Sequence, residues 1–184
     1  MNLAAVQVSA TNRTDNLLWG VARHLANAGY QLVGALRPPK SGHNDGICGT
    51  TLHLLPDGPD VCITQDLGKG SAACRLDAGA IEDVAGRSMA RLQTEGADIV
   101  FLNKFGITEA EGRGFRQLIG AAMGQDVPVV IGVSDAHRAA FEAFTDDMAE
   151  MVPPEEEALL DWCRRVVPRR PSPKPIPITK GGWT

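Results

Sequence analysis

Asn103 and Lys104 stand directly after the apolar run ADIVFL, and Glu109, Glu111 and Arg113 follow within ten residues among three glycines. An amide offers donors and an acceptor, and an ammonium is a compact, movable positive charge, so the first two suit an oxyanion. On a helix through 109–124, Glu109 and Arg113 would be four apart and would pair on its surface, leaving Glu111 available. Lys104 has a competing use in a structural ion pair with Glu109 or Glu111. Gly112 and Gly114 each lower helix propensity by about 1 kcal/mol relative to alanine, which fits a close backbone approach or a frayed first turn. Lys104 and Glu109 are the two candidates for a catalytic role.

Two further patches could act with them. SATNRTD, residues 9–15, places Asn12, Arg13 and Thr14 where a strand gives way to a helix. Amides, hydroxyls and unpaired N–H groups at a helix start attract anions, although the same residues also make an ordinary capped turn. CRLDAG, residues 74–79, sets Arg75 and Asp77 ahead of another helix, suited to an anion and a cation respectively, or to a cap and a salt bridge. Thr14, Asp15, Asp77 and Glu109 have the chemistry to hold Mg2+ around a bound phosphate, but spacing supplies no geometry for it. Of the four cysteines, Cys48, Cys62 and Cys74 could meet His53 at a metal; reduced, partly buried thiols are the simpler expectation. His137 could titrate near a ligand or simply face water.

These patches need elements to position them. Residues 2–9 read as a buried strand, Asp15 as the cap of a helix ending at Gly29, and YQLVGAL as a second strand. Strand, helix, strand in succession predicts a parallel sheet. Residues 37–75 are rich in turn formers around short apolar runs and predict a small antiparallel or irregular insert. DLGKGSAAC lacks the spacing of a phosphate loop and reads as a connection. A helix is expected over 78–94, strands over 97–102 and 127–133, a short helix near 134, and a last helix over 155–166. Strands apolar on both faces must be covered by helices on both sides. In such a sheet ligands sit beyond the carboxyl ends of the strands, which collects residues 9–15, 103–114 and 134–138 at one edge.

The chain has 184 residues and a net charge of −4. Six basic and no acidic residues lie between Arg164 and Thr184, leaving −10 on the preceding 163. An acidic body without a stacking pattern argues against nucleic acid as a partner. No apolar stretch approaches the length of a membrane span, and the first residues lack a secretory pattern, so a cytoplasmic location is expected. Five of twelve prolines fall within 168–177, dividing the chain into a domain over 1–167 and a proline-rich basic tail over 168–184. That tail could serve a protein partner or self-association.

CRLDAG, ADIVFLNKFG and EAEGRGF together resemble a bacterial family of nucleoside-triphosphatase-like proteins often encoded near molybdate-transport genes. The resemblance spans most of residues 2–163, including LLDWC. It implies an α/β, three-layer fold like that of P-loop nucleoside-triphosphatases, with a mostly parallel sheet and degenerate Walker motifs. Thr14 occupies the approximate place of the phosphate-loop lysine, and Asn103 and Lys104 fall where acidic, magnesium-holding residues are expected. The expectation is a protein binding a nucleotide or phosphate-like oxyanion, with Asn12, Arg13, Thr14, Arg75, Asp77, Asn103, Lys104, Glu109 and Arg113 as ligand-binding candidates. Turnover stays open, as does Mg2+ as a companion of a nucleotide. The alternatives are a molybdate- or tungstate-related accessory or sensor protein, and an interaction scaffold.

Overall fold

The computed structural model describes residues 2–8, 12–39, 49–65 and 75–167. The tail over 168–184, DLGKGSAAC as far as Cys74, Cys48 and residues 9–11 lie outside them. Five strands carry the parallel part of the sheet: β1 (Leu3–Gln7), β2 (Leu32–Leu36), β7 (Ile99–Phe105), β8 (Val129–Val133) and the short β9 (Glu150–Val152). Between β2 and β7 come β3 (Thr51–Leu54), β4 (Asp60–Cys62), β5 (Thr64–Gln65) and β6 (Arg75–Leu76). The main sheet runs β4-β3-β2-β7-β8-β1-β9, and β5 and β6 form a separate ribbon. Only the pairs β2–β3 and β3–β4 in the seven-stranded sheet are antiparallel. The insert therefore extends the main sheet on one side.

Helices α1 (Arg13–Asn27) and α6 (Glu156–Val166) cover one face; α2 (Ala78–Glu95) and α4 (Arg116–Gly124) cover the other. Strand residues alternate between the two cores. Leu3, Ala5, Val100 and Leu102 pack with Val84, Leu92 and Leu118, whereas Ala4, Val6, Ile99 and Phe101 pack with Leu18, Leu25 and Leu159. Burial on both faces is why these strands are continuous apolar runs. Gly34 lies in β2 at φ +122°, and a Cβ there would sit 2.0 Å from the Phe101 carbonyl oxygen, so that strand needs glycine to pass β7.

Several expectations change. Asn12, not Asp15, stands at the N-cap position of α1, without a side-chain cap bond, and β7 continues three residues past Leu102. The single helix over 109–124 is two, α3 (Ile107–Ala110) and α4, because Gly112 and Gly114 adopt φ of +88° and +63°, which a helix cannot contain. The turn Asp135–His137 precedes α5 (Arg138–Thr145), and β9 went unrecognised because three residues carry too little pattern. Cys163 is a free, buried thiol, but Cys62 is disulfide-bonded, since spacing cannot say which thiols meet.

Candidate functional site

One irregularity in the sheet shapes the site. Leu102 of β7 pairs with Ile131, yet Phe105 pairs with Val133, so three steps on β7 match two on β8. Strict alternation would pack Phe105 with Phe101, whereas it packs on the Leu102 side. This is a bulge, which re-aims the side chains at the extra residue. Asn103 and Lys104 are those residues. Gly132 makes the bulge possible, because a Cβ there would come within 2.4 Å of the Asn103 carbonyl oxygen.

The bulge opens onto a cavity of about 340 Å³ at the carboxyl ends of the parallel strands. Its charged and amide lining comes from Asn12, Asp15, Arg37, Asn103, Lys104 and Glu109. Asn103 ties two strand ends together, since its Oδ1 accepts the Arg37 backbone N–H at 3.0 Å. The Arg37 guanidinium reaches Asn12 Oδ1 at 3.4 Å and Asp15 Oδ2 at 3.5 Å. Lys104 is exposed and makes no ion pair among the described residues, so the expected network with Glu109 or Glu111 is absent there. Its ammonium is the one lining charge without a described partner.

Glu109 has a different task. It is 3% exposed, and its two carboxylate oxygens accept the backbone N–H groups of Gly106 at 2.9 Å and Phe115 at 3.1 Å. A buried carboxylate needs such donors, and here they clamp the loop between α3 and α4. Gly114 lets the loop close over it, for a Cβ at that position would lie 2.2 Å from Glu109 Oε1. The Gly114 N–H is taken by Glu82 Oε1 at 2.6 Å. The anticipated Glu109–Arg113 pair does not form. Arg113 pairs instead with Glu111, which is therefore not left available.

The remaining candidates stand outside the cavity lining. Arg13 is exposed on the first turn of α1, and Thr14 is buried with its hydroxyl donating to the Gln7 carbonyl at 3.1 Å. Arg75 begins β6, with its side chain outside the described part. Asp77 caps α2 by accepting the Ala80 N–H at 3.0 Å. That backbone bond, helped by the Gln65 side chain, holds its carboxyl below the usual range. His137 Nδ1 lies 3.2 Å from Ser134 Oγ, away from the lining residues. Arg37 was missed. Its signal was its place at the carboxyl end of a parallel strand, obscured by the turn-rich residues that follow.

The lining does not fit a protein-held Mg2+. Asp15 faces Arg37, both Glu109 oxygens accept N–H groups, and the amide oxygens of Asn12 and Asn103 face Arg37. A hard cation needs open oxygen ligands, and each of these oxygen-bearing side chains is already engaged.

Residues 3–162 match the model of the family described as "Protein of unknown function (DUF2478)". The chain is 29% identical over 163 residues to the "Molybdenum import ATP-binding protein ModC 2" of Bradyrhizobium diazoefficiens, covering 88% of this chain and only 18% of that protein's length. It is similar in fold to THEP1 from Aquifex aeolicus, with a TM-score of 0.64 at 16% identity over 92% of this chain and all of that one. A human cancer-related nucleoside triphosphatase aligns with a TM-score of 0.59 at 12% identity, over 91% of this chain and 96% of that one. These likenesses establish the α/β fold with its largely parallel, helix-covered sheet. Among the described residues, no helix is long and apolar enough to cross a membrane.

Proposed function

The chain belongs to the DUF2478 family, and from that starting point we propose that it binds a phosphate-type oxyanion, carried by a nucleotide, at the carboxyl edge of its sheet. The observation that carries this reading is the exposed Lys104 ammonium, without a described partner, in a cavity bounded by Asn12 and Asn103. Unpaired positive charge beside amide groups and a helix start favours an anion over a neutral guest. The words "ATP-binding" and "nucleoside triphosphatase" in the names of the similar proteins support a nucleotide as the carrier. A second reading, a molybdate- or tungstate-related accessory protein, is favoured by the molybdenum-import name of one relative. It asks only for oriented donors around a tetrahedral anion.

The experiment is titration calorimetry of the protein with ATP, inorganic phosphate, molybdate and tungstate, each with and without Mg2+, repeated on Lys104→Ala. A charge-assisted bond is worth about 1.5–3 kcal/mol, so Lys104→Ala should weaken the bound anion by roughly 10- to 100-fold. An unchanged affinity in that variant counts against the site. Molybdate binding that ATP neither matches nor displaces selects the second reading. Phosphate release from ATP would add turnover to the first.

A further inference from the structure

The cavity is two-sided in chemistry. Its charged and amide residues come from the start of α1, the ends of β2 and β7, and Glu109 of α3, whereas the rest of its lining is mainly Leu52, Ile63, Leu76, Ile81, Ile107 and Phe115, with Thr50 and Thr108. Leu52, Ile63, Ile81 and Phe115 belong to the core on the α2 face, so that wall continues the apolar interior outward. Leu76 and Ile107 extend it to the surface at 43% and 52% exposure, and only four large hydrophobic side chains are so exposed among the described residues. Exposed apolar side chains gathered at a cavity mark a surface that something covers.

We infer that the ligand is an organic phosphate with an apolar ester group, its phosphate facing Lys104 and Asn12 and its body lying against the wall of Leu76 and Ile107. The inference rests on the anion site proposed above and assigns it a different carrier, an apolar ester in place of a nucleotide's hydroxylated sugar. A bare tetrahedral oxyanion displaces about two to three waters of roughly 30 Å³ each. It would leave most of a cavity of about 340 Å³ unfilled and the apolar wall in contact with water. Only a ligand with both parts uses both sides. The insert then has a role, since β3, β6 and the residue between β4 and β5 supply half of the wall.

The test compares inorganic phosphate with phenyl phosphate by calorimetry on the wild-type protein, Ile107→Ser, Leu76→Ser and Lys104→Ala. Both apolar side chains are about half exposed and outside the buried core, so their serine variants should keep the fold, which thermal melting verifies. Covering a phenyl ring should make phenyl phosphate bind at least about tenfold more tightly than inorganic phosphate. Ile107→Ser and Leu76→Ser should shrink that ratio toward one. Equal binding of the two probes in the wild type, with both weakened by Lys104→Ala, overturns the organic-ester inference and leaves the anion site standing. A high ratio untouched by either serine overturns the assignment of the wall. Binding of neither probe at millimolar concentration overturns the organic-ester inference, and the oxyanion reading falls with it only when ATP also fails to bind.

Discussion

Gly114→Ala should damage this protein far more than Gly112→Ala, although both glycines stand in the same loop at positive φ. Gly112 has φ +88° with no heavy atom within 4 Å of a built Cβ. Its substitution therefore costs only the left-handed backbone, about 1–2 kcal/mol. Gly114, at φ +63°, carries the same backbone cost, but its Cβ would lie 2.2 Å from Glu109 Oε1 and 3.1 Å from Glu109 Cδ. The carboxylate must move, and with it goes the hydrogen bond from Phe115 N–H, worth about 1.5–3 kcal/mol for a charged acceptor. The sum for Gly114→Ala is about 2.5–5 kcal/mol, roughly 1.5–3 more than for Gly112→Ala. Urea unfolding followed by tryptophan fluorescence measures both. At an unfolding slope near 2 kcal/mol per molar, the two midpoints should differ by about 1 M. Equal midpoints would refute the idea that Glu109 clamps the loop.

The bulge supports a second outcome: Gly132→Ala, meeting the Asn103 carbonyl oxygen at 2.4 Å, should cost about 1–3 kcal/mol and also weaken anion binding by shifting Lys104. Lost stability with unaltered binding would separate Gly132 from the site. The Cys163 thiol is pushed up from the ordinary 9.0 to about 12 by burial. Because the folded state holds the proton more tightly, this stabilisation is whole below pH 9 and disappears as the pH rises toward 12. Urea midpoints of the wild type should therefore fall more steeply than those of Cys163→Ala across that interval, and parallel curves would contradict the assignment.

How far the sequence could be read depended on whether a signal was local. The apolar runs of β1, β7 and β8 announced a sheet covered on both faces, and Asp77 announced the start of α2, because periodicity and capping act within a few residues. Glu109 and Arg113 illustrate the opposite case. Four-residue spacing promised an ion pair only on a continuous helix, and two glycines at positive φ break that helix between them.

Local pattern was enough for the layered α/β architecture, for an antiparallel or irregular insert, and for the gathering of polar residues after the strands. Which of those residues share a cavity followed from how the chain folds back on itself. The bulge that aims Asn103 and Lys104 depends on pairing between β7 and β8, and Arg37 reaches Asp15 across 22 positions of chain. Glu109 became a clamp because two backbone N–H groups converge on it. Register and convergence are properties of chain segments meeting in space, and no short window of residues encodes them.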